Sequence, residues 1–327
     1  MRAVQVETLT GPTDLKVNDI PEPTPGPDDV LVEVHSVGVS FPDLLLSRGE
    51  YQMKPEPPFN LGVDFAGVVL DPGSSDFTAG QRVAGVAGWG NAAEIVASPK
   101  NWTFPLPDAL SFDEGAALPM NYLTAQFALK DRGGIAAGDT VLVHGAAGGV
   151  GTATIQVAKG YGARSIAVVS SPEKAQVARD AGADEAVLVS ADGQGFRDAV
   201  KELTGGRGVD IVLDVVGGDL FTDSLRCLAE HGRLLVVGFA AGQGIPEVKV
   251  NRLLLNNVDV RGVGWGAYAM TRQDFMQQQW RELVPMIETG VIRPPIGATY
   301  DLEGFGQALL DMADRKTLGK SVVRVRG

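Results

Sequence analysis

The sequence predicts an α/β protein: a doubly wound parallel sheet set beside an irregular, strand-rich barrel-like domain. Three observations predict it. A glycine cluster at 145–151 lies between a short apolar run and a segment with apolar residues at helical spacing. From residue 140 to 263, short strand-type runs alternate with helical patterns, which is the signature of parallel strands joined by crossover helices. Residues 1–118 show instead short runs bounded by Pro, Gly and Asp, as in barrels and sandwiches.

Composition bounds the class. At 327 residues the chain has room for one large or two medium domains, at ~100–200 residues each. Its 28 basic and 40 acidic side chains leave a net charge of −12. That balance argues against nucleic acid or an anionic membrane as the main partner, since both favour basic surfaces. The single cysteine, Cys227, excludes a disulfide framework and a Cys-based metal cluster within one chain. Between Arg226 and Leu228 it reads as a small core residue on a helix. The first ten residues lack the apolar core of a signal peptide and the pattern of a transit peptide. No segment approaches the ~18 apolar residues of a membrane span. A cytoplasmic protein is expected.

In chain order, strand candidates in the first domain are 4–6, 15–17, 30–37, 66–70, 81–86 and 92–96. The Pro-rich stretch 21–27 can only be an extended connection, because Pro removes backbone donors and restricts the residue before it. A short helix is expected over 43–48, then a Pro-rich loop over 51–59. Ser111 followed by Glu114 is a capping box that starts a helix. A second helix is expected over 120–130, ahead of a Gly-rich turn at 133–138. The parallel strands are then 140–144, 165–169, 185–189, 210–214, 233–237 and 258–263. Helices fill the gaps at 149–161, 172–181, 195–203, 220–229 and 250–256. A long amphipathic helix at 272–288, a helix at 304–314 and a closing strand at 321–325 complete the chain.

The glycine cluster carries the chemistry. Ala146, Ala147, Gly148, Gly149, Val150 and Gly151 form the frame G-x-G-x-x-G with Ala at its first position. Strand, tight turn and helix in that order are the context in which this fingerprint means a dinucleotide site. Gly148 lets the backbone approach a pyrophosphate, Gly151 lets the helix pack on the strand, and the first-turn N–H groups face the anion. A site that prefers NAD carries an acid about 20 residues on, to hold the ribose hydroxyls. Here the position reads Ser170, Ser171, Pro172, Glu173, Lys174. Two hydroxyls and a cation suit the extra phosphate of NADPH, although Ser171 also reads as a helix N-cap with Pro172 behind it.

Further round the sheet, Gly217 follows one strand, Phe239 and Ala240 another, and Val263 and Trp265 end the sixth. Ligands sit at strand C-termini in open α/β sheets, so these are candidate cofactor-side residues. Tight turns, and core or subunit-interface aromatics, are the alternative readings.

The stretches Val39 to Asp43, Gly49 to Gln52, Pro57 to Phe59, Leu61 to Val69, Gly145 to Gly151 and Gly232 to Phe239 occur in order. Together they resemble the zinc-independent quinone oxidoreductases, the zeta-crystallin-like branch of the medium-chain dehydrogenase/reductase superfamily, over essentially the whole chain. The resemblance implies a GroES-like barrel domain with a Rossmann domain inserted. The implied division is 1–118 for the first part of the catalytic domain, 119–257 for the Rossmann domain, and 258–327 for its sixth strand and the segment that completes the barrel. It further implies NADPH bound between domains, a small-molecule acceptor and a homodimer. Thr124 would lie near the nicotinamide, and Ser40, Asp43 and Tyr51 on the substrate side. Two positions depart from the family: Ser40 stands where Asn is common, and Leu45 where Tyr is usual.

By the same resemblance, zinc-dependent relatives carry a Cys near Ser40–Phe41, and Gly-His-Glu where this chain has Gly62, Val63 and Asp64. His35 and His144 lack ligand spacing to any other His or Cys and read as structural, and His231 as a turn residue. No metal is expected. The implied reaction is NADPH-dependent reduction of a quinone. Reduction of an activated C=C bond on the same scaffold is the second reading, and an NADPH-binding protein with little turnover the third.

Overall fold

The computed structural model describes residues 1–190 and 195–326. It divides into two compact units. The first comprises Met1–Asn121, Gln273–Glu288 and Pro294–Gly327, the second Tyr122–Arg272 and Thr289–Arg293. Residues 258–272 therefore stay with the second unit, because the strand Asp259–Gly262 pairs with Leu228–Val236.

The first unit is built around the ten-residue strand Asp29–Gly38. Its alternate residues Val30, Val32 and Val34 are buried, as the two-residue period of a strand dictates. It pairs antiparallel with Asp64–Asp71, Ile95–Pro99 and Lys320–Arg324. Asp64–Asp71 takes one edge, and Ile95–Pro99 and Lys320–Arg324 share the other end to end, at residues 29–33 and 36–38. Arg82–Val86 and Thr103–Pro105 extend the sheet at one side and Ile296–Tyr300 at the other. A smaller sheet joins Lys16–Asp19, Arg2–Val6 and Phe59–Asn60. The core holds Phe65, Val83, Leu61, Phe305, Leu309 and Val323.

Several sequence boundaries shift here, and the strands Phe59–Asn60 and Thr103–Pro105 were not expected. The strand expected at 92–96 runs over Ile95–Pro99, with Ala92 and Ala93 buried ahead of it. The helix expected at 43–48 is Phe41–Ser47, because Ser40 and Asp43 cap it. The strand Ile296–Tyr300 was not anticipated: its three central residues are exposed, so no apolar alternation marks it. The Ser111 capping box forms as read, Glu114 returning a carboxylate to the Ser111 N–H at 2.7 Å. The long helix starts at Phe275 and buries Met276, Trp280, Leu283 and Ile287. Trp280 stacks on Phe104 with ring centroids 4.7 Å apart and donates its indole N–H to the Pro105 carbonyl.

The second unit is a six-stranded sheet in which every pairing is parallel. Its spatial order is Glu185–Leu188, Arg164–Val169, Thr140–His144, Val209–Asp214, Leu228–Val236 and Asp259–Gly262. That is the order 3-2-1-4-5-6, with its switch point between Thr140–His144 and Val209–Asp214. Thr140–His144 is buried at all five positions, as a central strand covered on both faces must be.

Three sequence expectations fail locally in this unit. Residues 228 and 229 belong to a strand and not to the preceding helix. The chain loops out between Leu228, opposite Val209, and Arg233, opposite Ile211, with His231 at φ 63°. Trp265 starts a short helix, Trp265–Ala269, after the strand has ended at Gly262. The expected helix at 120–130 is an α-helix, Pro119–Gln126, followed by a π-helical stretch, Phe127–Arg132. Among the described residues no helix is long and apolar enough to cross a membrane.

Candidate nucleotide and substrate sites

The strand Thr140–His144 runs directly into Gly145, whose φ of 61° turns the chain. A Cβ on Gly145 would lie 2.8 Å from the Val215 side chain. Gly148 then caps the helix Gly149–Gly160 with no side chain bonded to its N-terminus. The first-turn N–H groups are left for an anion. A Cβ on Gly151 would fall 2.2 Å from the Gly145 carbonyl oxygen, so only glycine lets the helix seat on the turn. A Cβ on Gly148 would meet only that same oxygen, at 3.4 Å. Gly151 is thus required by the fold, whereas the space over Gly148 is free for a ligand. Ala146 and Ala147 are buried. The residue that makes the turn is Gly145, one position ahead of the frame read from sequence; its place straight after the apolar strand was the available signal.

At the end of Arg164–Val169 there is no carboxylate at the strand terminus. Ser170 is exposed, and Lys174 Nζ donates to its hydroxyl at 3.3 Å. Ser171 caps the helix Pro172–Asp180, its Oγ accepting the Lys174 N–H. The cap reading of this segment is borne out. Glu173 is exposed, and its hydrogen bond with Ser171 holds it below the usual carboxylate range.

Asp214, 1% exposed at the end of its strand, was missed by sequence reasoning. Its Oδ1 accepts the N–H groups of Val216 and Gly217 at 2.8 and 2.9 Å. The next loop is stitched to this one: Ala240 and Ala241 donate to the carbonyls of Val215 and Val216. A Cβ on Gly217, at φ 67°, would lie 3.0 Å from the Phe239 ring. Phe239 itself is 39% exposed. His144 is buried, with Nε2 on the Ser224 hydroxyl at 2.8 Å; burial pushes it down, against the pull of the Asp214 charge. Thr124 is buried. Val263 is buried with its N–H on Val236, and Trp265 is 3% exposed. Tyr268, not Trp265, presents a ring at the surface, against Phe127 and beneath the Arg272 guanidinium.

In the first unit, Ser40, Asp43, Asp64 and Lys320 form a buried polar cluster. Asp43 accepts the backbone N–H groups of Ser40 and Gly62, both at 2.9 Å. Gly62 is at φ 95°, and a Cβ there would run into the Ala92 nitrogen. Burial pushes the Asp43 carboxyl up to about 7, against the pull of these two bonds. Asp64 Oδ1 accepts the Met120 N–H at 2.8 Å. Its Oδ2 takes Ser40 Oγ at 3.0 Å and Lys320 Nζ at 2.9 Å. Burial raises Asp64, and the Lys320 charge acts in the opposite direction. Lys320 also donates to Ser40 Oγ at 2.6 Å. Tyr51 is only partly buried, and its hydroxyl is pushed up by burial first and by the Asp43 charge second. Lys320 could not be found from sequence, since it lies 256 positions from Asp64 in no local pattern.

Val63 is wholly buried among apolar neighbours, and His35 stacks on Phe112 with centroids 4.2 Å apart. Among the described residues no group of three or more His, Cys, Asp or Glu could hold a metal ion.

A GroES-like fold with an inserted doubly wound sheet defines a class of dehydrogenases and reductases, and comparison with known proteins agrees. The alcohol dehydrogenase GroES-like domain model matches residues 26–108, and the zinc-binding dehydrogenase model matches residues 149–289. The chain is 40% identical over 307 residues to quinone oxidoreductase-like protein 2 of Rattus norvegicus, across 92% of this chain and 86% of that one. It is 33% identical to the quinone oxidoreductase of Homo sapiens, across 94% and 92%. The crystal structure of Escherichia coli quinone oxidoreductase complexed with NADPH superposes with a TM-score of 0.89 at 28% identity, across 99% of this chain and 100% of that one. The chain belongs to the zinc-independent quinone oxidoreductase-like branch of the medium-chain dehydrogenase/reductase superfamily.

Proposed function

We propose that this chain is an NADPH-dependent reductase that works without zinc and passes a hydride to a quinone. The observation that carries the reading is the open glycine cradle at Gly148 together with a strand end that offers Ser170 and Lys174 and no carboxylate. The related Escherichia coli structure, solved with NADPH, supports the cofactor. When bound, NADPH supplies the hydride; the chain's residues bind, orient and exclude water.

Gly148, Gly149, Val150 and Gly151, with Ala147 behind them, hold the pyrophosphate on the helix N-terminus. Ser170, Ser171 and Lys174 take the 2′-phosphate. Asp214 fixes the loop of Val216 and Gly217, on which Phe239 and Ala240 are stitched, as the wall of the cofactor site. Thr124 is placed near the nicotinamide in this proposal, with Val263 and Trp265 on the cofactor side. Ser40, Asp43 and Tyr51 serve the acceptor.

The test is NADPH consumption by the purified chain with benzoquinone, phenanthrenequinone, an enal, chloroacrylate and a crotonyl thioester, each repeated with NADH. Turnover of quinones with NADPH supports the reading; failure with every quinone ends it. Turnover of the alkenes alone selects the second reading, which is favoured by the two departures from the family, Ser40 and Leu45.

The homodimer is part of the same proposal. Asp259–Gly262 is an unpaired edge of its sheet, and ahead of it Ile245, Val250, Leu254 and Leu255 are each more than 70% exposed. A second copy that covers these apolar side chains accounts for them. Sedimentation analysis decides it.

A further inference from the structure

We propose that Lys320 is a positioning residue acting through Ser40: its ammonium orients and polarises the Ser40 hydroxyl, which hydrogen-bonds the acceptor oxygen where negative charge develops. This rests on the reductase reading above.

The chemistry of the donors carries it. An ammonium has three N–H donors and no lone pair. In the 2.6 Å contact Lys320 must therefore donate and Ser40 Oγ must accept, which leaves the hydroxyl proton to be placed elsewhere. Its partner within the chain is Asp64 Oδ2 at 3.0 Å, an oxygen already taken by Lys320. A hydroxyl that accepts from a cation is a stronger donor than a free one. An incoming oxyanion competes well for that proton, since Asp64 keeps its cation when the hydroxyl proton swings off it and the oxygen stays on Lys320.

The surroundings hold the hydroxyl oxygen in one place. Asp43 fixes the Ser40 backbone, Met120 fixes the other oxygen of Asp64, and Lys320 is 5% exposed. Gly38 makes room for the lysine stem: a Cβ there would lie 2.9 Å from Lys320 Cε. A lysine that merely tied the last strand to the barrel would need Asp64 alone.

The experiment uses the full chain saturated with NADP⁺ and para-nitrophenol, whose phenolate carries its charge on oxygen and absorbs apart from the phenol. Bound to the wild type, the probe's apparent pKa falls by about one unit or more. Ser40→Ala and Lys320→Met each abolish the fall, and the double variant does no more than either alone. Acceptor kcat drops ~10-fold in each single variant with KM little changed, again without addition in the double. Lys320→Met/Asp64→Asn, which removes both charges of the pair, keeps the fold and still lacks the fall. The proposal is overturned if the wild type leaves the probe unshifted, if the charge-free pair behaves as wild type, or if Lys320→Met costs as much in the Ser40→Ala background. Absence of turnover with every acceptor would end the reductase reading, while the probe shift would still decide the role of Lys320.

Discussion

Asp43 Oδ1 accepts the backbone N–H of Gly62 at 2.9 Å, in a place with no solvent exposure. Its other oxygen holds the N–H of Ser40, so one carboxyl ties the start of a helix to the turn before Asp64–Asp71. Asp43 thereby closes the capping box of that helix with Ser40.

Burial raises Asp43 from 3.8 to about 7. The folded chain thus holds this proton more tightly than the unfolded one. The resulting stability is complete below the unfolded value and is lost as pH rises through about 7. Wild type should therefore lose stability relative to Asp43→Asn between acid and neutral pH, by at most about 4 kcal/mol. Melting curves of both proteins across that range check it; parallel pH profiles would refute it.

Two alanines should separate fold from ligand. Gly151→Ala places a methyl 2.2 Å from the Gly145 oxygen and should cost about 1–3 kcal/mol in denaturant titrations. Gly148→Ala meets nothing closer than 3.4 Å, so it should melt near wild type while NADPH binding, read by fluorescence, weakens ~10-fold or more. Equal loss of stability in both would contradict the assignment.

Lys174→Ala should raise the NADPH dissociation constant ~10-fold and leave NADH unchanged, as expected for loss of one charge-assisted contact to a phosphate. A uniform effect on both cofactors would show that Lys174 acts elsewhere.

Trp280 is 2% exposed, stacked and hydrogen-bonded. Trp280→Ala should lower stability by about 3–5 kcal/mol, visible as a large fall in denaturation midpoint. A shift under ~1 kcal/mol would mean that the helix repacks around the loss.

How much of this was readable before folding follows the range of each interaction. The Ser111 and Glu114 box, the strand Thr140–His144 and the glycine turn depend on neighbours three to six residues away, and sequence reading located them. The helix over 220–229 was drawn too long because Leu228 and Ala229 are apolar in either state, and pairing with Val209 decides for strand. Trp265 was read as ending the sixth strand, because it follows the apolar run 258–263 directly, whereas it starts a short helix. In the candidate sites, Ser40, Asp43, Gly148 and Lys174 carried local motifs. Asp214 and Lys320 did not, since their significance arises only from the N–H groups and hydroxyl that the fold brings to them.

The pairing of Asp29–Gly38 with Lys320–Arg324 also sets an order of manufacture. At ~5–20 residues per second, a ribosome finishes the first of these strands tens of seconds before the second exists. The sheet of Thr140–His144 has all six of its strands by residue 262 and can close early. The earlier-made barrel must wait with an open strand edge, and with Asp64 lacking its cation, until residues 320–324 leave the exit tunnel. A chain cut before Lys320 is therefore damaged most in the half that was synthesised first.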